Sequence, residues 1–205
     1  MDGRTKVAVI YYSATGITYQ MAQSAVEAAG DAGAEVRLRK VRELAPEEAI
    51  RSNSGWQAHH LETQDVMEAQ LDDLSWADVV IFGSPTRYGM VAAQLKQFID
   101  TTGPLWAQGS LVNKVYSAFC STATSHGGQE STLLALFNVF YHWGGIVVAP
   151  GYTDPSQFVA GNPYGASHTS NNGETAPDDI ALNATALTAK RAIQISTALK
   201  KGLAG

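Results

Sequence analysis

Short apolar runs alternate along the chain with segments in which apolar residues recur every three or four positions. The runs predict buried parallel strands, and the recurring apolar positions predict amphipathic helices. Buried strands are predicted at residues 6–12, 78–83, 114–120 and 146–149, and a half-exposed edge strand at residues 35–39. Helices are predicted at residues 17–30, 91–99, 129–143 and 178–203. This alternation predicts an α/β fold with a mostly parallel sheet.

Two long stretches do not fit a minimal α/β pattern, so we expect one domain over residues 1–205 with insertions near 45–75 and 150–176. The first insertion is predicted to be partly helical from Val66 to Leu74, with His59 and His60 as a solvated loop pair. These histidines lack further ligands at useful spacing, so no metal site is predicted. The second insertion, rich in Gly, Pro, Ser, Asn and Thr, predicts an irregular loop.

Composition narrows the class of protein. The chain has 205 residues, of which 45% are hydrophobic, and this is enough for a substantial core. A net charge of -5 gives no electrostatic support for direct contact with nucleic acid or with an anionic membrane surface. No apolar stretch approaches the ~18 residues of a membrane span, and no secretory signal is evident. The single cysteine, Cys120, fits a reducing compartment, so a cytoplasmic protein is expected.

A hydroxyl-rich turn joins the first predicted strand to the first predicted helix. It consists of Ser13, Ala14, Thr15, Gly16, Ile17 and Thr18. A helix N-terminus at such a turn aims backbone N–H groups at an anion. The turn has no lysine and matches neither the nucleoside-triphosphate loop nor the dinucleotide glycine fingerprint. It therefore suits a single phosphomonoester held by neutral donors, although Ser and Thr are also common at ordinary helix N-caps.

Two further loops of small and hydroxyl residues follow the third and fourth predicted strands. One comprises Ser84, Pro85, Thr86, Arg87, Tyr88 and Gly89, and the other comprises Ser121, Thr122, Ala123, Thr124, Ser125, His126, Gly127 and Gly128. In open parallel sheets, ligands bind at the carboxyl ends of the strands, where the strand order reverses. We therefore expect all three loops to converge on one ligand site.

The three loops belong to a set of motifs that spans nearly the whole chain. The set comprises Tyr11-Tyr12-Ser13 with Gly16, Gly83–Gly89, Gln94, Lys96, Phe98, Asp100, Thr102–Trp106, Phe119–Thr122, Gly127–Glu130 and Asn162–Ala166. In these motifs the chain resembles the WrbA-type NAD(P)H:quinone oxidoreductases of the flavodoxin-like superfamily. The resemblance implies a doubly wound, five-stranded parallel sheet of order 2-1-3-4-5 with helices on both faces.

The resemblance also implies FMN as the cofactor. Residues 13–18 would wrap the FMN phosphate, residues 85–89 would contact the isoalloxazine ring, and residues 121–127 would form the third wall. His142 aligns with a histidine that contacts the flavin, from a neighbouring subunit. Trp106 aligns with an aromatic residue of the substrate site. Thr15 occupies a position near the nicotinamide at which the family often has an aromatic residue, so it is expected to contact substrate as well.

The implied activity is a ping-pong transfer of a hydride from NADH or NADPH through FMN to a quinone. His142 or His126 would supply the proton to the quinone oxygen. A homodimer or homotetramer is expected, with the apolar helix at residues 129–143 and the two insertions as interfaces. Two other classes stay open: a one-electron carrier of the flavodoxin type, and a multimeric flavoprotein that binds a partner without catalysis.

Overall fold

Strands and helices alternate through residues 3–203, the part of the chain that the computed structural model describes. The strands are β1 Lys6–Tyr11, β2 Glu35–Lys40, β3 Val79–Arg87, β4 Met90–Val91, β5 Val115–Thr122, β6 Ile146–Val147 and β7 Ala166–Thr169. The helices are α1 Ile17–Asp31, α2 Glu47–Arg51, α3 Ser54–Glu62, α4 Leu71–Trp76, α5 Ala93–Asp100, α6 Gly103–Ala107, α7 Gln129–His142, α8 Ser156–Ala160 and α9 Asp179–Leu203.

The main sheet runs in the order β2-β1-β3-β5-β6, and these neighbours are parallel. Since β5 and β6 are the fourth and fifth predicted strands, the predicted order 2-1-3-4-5 is confirmed. The strand order reverses between β1 and β3, which is the place where an open α/β sheet binds its ligand.

Alternate residues of the central strands face opposite layers of helices. Val7 and Val9 of β1 belong to the core on the side of α1 and α9. Ala8 and Ile10 of the same strand belong to the core on the side of α4, α5 and α7. All four side chains are fully buried. The middle of the sheet is therefore covered on both faces, which explains why β1 and the first part of β3 are apolar runs without polar alternation.

The first insertion differs from its prediction. It forms α2, α3 and α4, while residues 67–70 are extended instead of helical. The reason is pairing with the edge of the sheet: Lys40 donates its N–H to the carbonyl of Met67, and Ala69 donates its N–H to the carbonyl of Lys40. The helix begins only at Leu71, after a capping box between Gln70 and Asp73.

The prediction of a solvated histidine pair is half wrong. His60 is exposed on α3, but His59 is buried, with 5% of its surface accessible. The helix begins at Ser54 because the Asn53 side chain accepts the N–H of Trp56 at 2.9 Å. Within residues 3–203, no cluster of three or more side chains could hold a metal ion.

The second insertion is more regular than predicted. Residues 150–176 contain α8, β7 and a short 3₁₀ turn at Asn171–Gly173. β6 pairs with the start of β5, and β7 pairs with its end, from Phe119 to Thr122. The fifth position of the sheet is therefore shared by two short strands, and the second of them returns the chain to the edge where the β1 and β5 loops lie.

Candidate flavin-phosphate site

The turn at residues 13–18 opens the first helix without a side-chain cap. Gly16 is the N-cap residue of α1, with a φ of +90°, a conformation that favours glycine. The Gly16 N–H donates to Ser13 Oγ at 3.1 Å, which closes the turn. Among the described residues, no side chain caps the first turn of α1. Its backbone N–H groups therefore stay available to an anion.

The first and third loops are joined by a buried hydrogen bond. Thr18 Oγ1 and Ser121 Oγ lie 3.1 Å apart, and both residues are nearly inaccessible to solvent. Ser121 and Thr122 belong to the end of β5 rather than to a loop, which corrects the predicted boundary. Beyond them Ala123 is half-buried, while Thr124, Ser125 and His126 are exposed on a turn that Gly127 closes by donating its N–H to the carbonyl of Thr124.

The second predicted loop is the end of a strand and a tight hairpin. β3 continues through Pro85, Thr86 and Arg87 because β4 pairs antiparallel with its last residues. Tyr88 and Gly89 form the turn with φ values of +53° and +78°, which is typical of the two-residue turns that match strand twist. The Gly89 N–H donates to Thr86 Oγ1 at 3.1 Å. The Tyr88 side chain is fully exposed at the tip.

A fourth segment, which the sequence analysis missed, closes the site. The N–H and hydroxyl of Ser170 both donate to the carbonyl of Thr122, at 2.7 and 3.0 Å. Gly173 has a φ of +91°, and a Cβ atom there would lie 2.7 Å from Thr15 Oγ1. The run Ser170-Asn171-Asn172-Gly173 indicates a turn in the sequence, but only the pairing of β7 with β5 places that turn beside the first loop.

These segments enclose a cleft of about 230 Å³ at the carboxyl edge of the sheet. The cleft is lined by Ser13, Ala14, Thr15, Ile17, Thr18, Pro85, Thr86, Arg87, Ser121, Thr122, Ala123, Ser170, Asn172 and Gly173. The described lining contains hydroxyls, an amide and one guanidinium group but no carboxylate. With the uncapped N-terminus of α1 it offers hydrogen-bond donors and positive potential to an anion. These residues fit the phosphate of FMN.

Comparisons with known proteins identify the family of the chain. The model for the family described as NADPH-dependent FMN reductase matches residues 5–158. The chain belongs to this family. It is 49% identical over 172 residues to an NAD(P)H dehydrogenase (quinone) from Deinococcus radiodurans, covering 83% of this chain and 86% of the relative. It is 45% identical over 185 residues to a protein of the same name from Sinorhizobium fredii, covering 87% of this chain and 90% of the relative.

Solved structures support the flavodoxin-like fold of this FMN reductase family member. A WrbA-like flavodoxin protein from Agrobacterium tumefaciens superposes with a TM-score of 0.65 at 24% identity, covering 94% of this chain and 97% of that one. An archaeal flavodoxin superposes with a TM-score of 0.58 at 18% identity, covering 96% and 99%. The family, the enzyme class and the flavin cofactor expected from the sequence are confirmed by these comparisons.

Two predicted residues lie apart from the cleft within this chain. Trp106 and His142 line a second cavity of about 380 Å³, and no residue of its described lining is shared with the phosphate cleft. Trp106 donates its indole N–H to the carbonyl of His142 at 2.9 Å, and both side chains are exposed. The role expected for His142, towards the flavin of a neighbouring subunit, stays a prediction.

A partly buried carboxylate network ties the first insertion to the strand that carries the phosphate turn. Glu43 accepts hydrogen bonds from Tyr12 Oη at 2.9 Å, Trp56 Nε1 at 3.1 Å, Gln94 Nε2 at 2.7 Å and the N–H groups of Leu44 and Ala45 at 2.9 and 3.0 Å. Burial raises the pKa of Glu43, but these donors outweigh burial and hold the pKa below its ordinary value. Tyr12 directly precedes Ser13, so the network anchors the start of the turn.

Replacing Glu43 with glutamine is expected to lower the free energy of unfolding by roughly 1–2 kcal/mol at neutral pH, because several donors lose an ionised acceptor. Since the folded pKa lies below the ordinary value of 4.5, this stabilisation is present above pH 4.5 and is lost as the pH falls through the folded pKa. In urea unfolding, the free energies of unfolding of wild type and Glu43→Gln should therefore differ at neutral pH and become equal in acid. The control is Glu48→Gln, which changes an exposed glutamate of the first insertion and should alter the free energy of unfolding little. A difference between wild type and Glu43→Gln that does not depend on pH would refute the role of the charge.

Proposed function

We propose that this protein is an FMN-dependent NAD(P)H:quinone oxidoreductase that holds the FMN phosphate in the cleft at residues 13–18. The observation that carries the proposal is the convergence of an uncapped helix N-terminus with neutral hydroxyl groups from three strand ends. Curated relatives with 39–49% identity, all named NAD(P)H dehydrogenase (quinone), support the reaction. The alignments with these relatives cover most of both chains, which supports a similar overall architecture.

When bound, FMN supplies two-electron chemistry between a nicotinamide and a quinone. The residues of the chain bind and orient it. The N–H groups at the start of α1, with the hydroxyls of Ser13 and Thr18, would hold the phosphate. Arg87 is exposed at the same edge, on a strand end fixed by β4, and would stabilise negative charge on the ring. Thr15, between the cleft and α3, would border the nicotinamide position.

Residues 85–89 and 121–127 would flank the flavin ring, with the ring against the hairpin tip at Tyr88. The side chain of Tyr88 is fully exposed, so its ring is free to pack on a flat ligand. The structure keeps the tip in place through the hydrogen bond of 2.8 Å between Thr86 Oγ1 and Thr132 Oγ1. The hairpin is thus a fixed support, whereas the exposed turn at Thr124 to His126 provides the more adaptable wall.

We extend the proposal to a homodimer or homotetramer in the cytoplasm. Apolar surface on and beside α7 supports assembly: the accessible fractions are 43% for Leu134, 63% for Tyr141 and 58% for Trp106. The single cysteine of the chain, Cys120, is a buried free thiol, which agrees with a reducing compartment. None of the helices within residues 3–203 is long and apolar enough to cross a membrane.

His142→Gln is expected to slow quinone reduction about 100-fold while slowing flavin reduction by NAD(P)H less than about threefold. The reason is that only the quinone oxygen needs a proton from the imidazole in this proposal. Anaerobic stopped-flow measurement of the two half-reactions tests it. Equal slowing of both steps would remove His142 as the acid, and a monomer by light scattering would contradict its placement at a neighbouring flavin.

Steady-state kinetics test the reaction as a whole. Because one site would serve both substrates in turn, double-reciprocal plots of NAD(P)H oxidation at several quinone concentrations should give parallel lines. Intersecting lines would show that nicotinamide and quinone bind together, which the proposal excludes. Comparison of NADH with NADPH in the same assay establishes the preferred donor.

A further inference from the structure

Helix α3 of the first insertion packs against the outer side of the phosphate turn. A Cβ atom built on Gly55 would lie 3.8 Å from Thr15 Cγ2, and one built on Gly16 would lie 3.5 Å from His59 Nδ1. The two glycines lack these Cβ atoms, so the distances show that α3 lies near the turn and leaves room for one further atom at each position. The imidazole of His59 therefore lies close to the N-cap of α1, and it lines a neighbouring cavity with Ser13 instead of the cleft itself.

One nitrogen of the His59 ring is buried without a hydrogen-bond partner among the residues that the structure describes. The ring lies 5.3 Å from that of Tyr19, between centroids, and is 5% exposed. Within the described residues, the buried Nδ1 has no hydrogen-bond partner; Glu62 Oε2, 3.6 Å away, forms an ion pair with it only when the ring is protonated. A buried nitrogen without a partner is unfavourable for the fold. Its placement against the phosphate turn indicates a function there.

We propose that His59 is a positioning residue of the phosphate turn, whose protonated ring stabilises the bound phosphate of FMN from behind Gly16. This inference rests on the proposed placement of the phosphate at residues 13–18. The imidazole does not touch the phosphate in this arrangement. It acts through the turn, by adding positive charge next to the N-terminus of α1 at the moment when the anion binds.

The charged and titratable groups around His59 determine how its protonation responds to the phosphate. They are His60 and Glu62 on α3, Lys40 on β2, Tyr11 on β1 and Tyr19 on α1, with Tyr12, Glu43 and Glu68 on the wall of the adjoining cavity. Burial lowers the pKa of His59 below its ordinary value of 6.5; Glu62 raises it, and Lys40 and His60 lower it further. The phosphate adds a negative charge that favours the protonated ring, so binding should be accompanied by proton uptake.

Dissociation constants for FMN and riboflavin, measured by quenching of flavin fluorescence across a range of pH, test this inference. At about pH 6, His59→Gln is expected to bind FMN about fivefold more weakly than wild type, and the two should converge near about pH 8.5. Titration of the phosphate itself is common to both proteins and cancels in the ratio. His60→Gln, which removes the exposed neighbour on the same helix, should follow wild type, and riboflavin should bind equally to all three.

If the ratio of the FMN dissociation constants of His59→Gln and wild type does not change with pH, the proposal is overturned, because a purely structural role of His59 would not depend on pH. If wild type itself shows no preference for FMN over riboflavin, the placement of the phosphate is wrong and the inference fails with it. NMR titration of His59 in the wild-type protein gives a result independent of the variant. Its midpoint should rise by about one pH unit with FMN relative to riboflavin; equal midpoints would also overturn the proposal.

Discussion

Ser13→Asp is expected to weaken FMN binding about 100-fold or more, since a carboxylate in the cleft would repel the phosphate at short range. The fold should survive this change. Ser13 Oγ accepts the Gly16 N–H at 3.1 Å, and an aspartate carboxylate makes the same local hydrogen bond in turns. An acidic group near the start of α1 is also favourable to the helix dipole. The loss would therefore be one of ligand affinity, measured by fluorescence titration with FMN.

Ser13→Asn is the matched control, because it has the shape of aspartate without the charge and keeps a side-chain acceptor for Gly16. It should reduce FMN affinity by less than about fivefold. Riboflavin, which lacks the phosphate, should bind the two variants alike. If Ser13→Asp bound FMN as well as Ser13→Asn does, the phosphate would not lie at this turn.

Gly83→Ala is expected to lower the free energy of unfolding by about 3 kcal/mol, which corresponds to roughly 6–12 °C in Tm for a chain of this size. Gly83 of β3 lies opposite Phe119 of β5 in the parallel register. A Cβ atom at Gly83 would lie 2.3 Å from Phe119 Cζ and 2.4 Å from its Cε2. The Phe119 ring is completely buried and cannot move away without disturbing the core.

Gly30→Ala supplies the control for that experiment. Gly30 lies inside α1, and a Cβ atom there would meet no atom within 4 Å. Alanine in a helix should raise the free energy of unfolding by about 0.5–1 kcal/mol, through lower entropy of the unfolded chain and higher helix propensity. The two substitutions should therefore change the free energy of unfolding in opposite directions. A Gly83→Ala protein as stable as wild type, by thermal or urea unfolding, would show that Phe119 does not fill the space above Gly83.

The central part of the fold could be predicted from the sequence because its strands are buried on both faces. Runs such as Val7 to Tyr11 and Val79 to Phe82 leave no polar position, and this is typical of a parallel sheet between two helix layers. The turn at residues 13–18 was equally visible, since hydroxyl residues and a glycine stand between a strand and a helix. The cleft that these elements enclose follows from the order of the strands.

Features fixed by tertiary contacts were not visible in the sequence. Helix α3 has no apolar stripe, so periodicity gave no signal for it, and it is held instead by the Asn53 cap and by the bond from Trp56 to Glu43. Its burial of His59 depends on the phosphate turn lying beneath it. The segment from Ser170 to Gly173 reaches the cleft only because β7 pairs with β5. In each case the deciding partner is distant along the chain.

The most direct test of the proposed activity is anaerobic addition of NADH or NADPH to the FMN-loaded protein, without any reductase, while the visible absorbance of the flavin is followed. We expect prompt and complete loss of the absorbance, and its full return on addition of benzoquinone. A protein that binds FMN tightly but keeps its absorbance with both nicotinamides would instead be an electron carrier or a partner-binding flavoprotein, and the proposed function would be wrong.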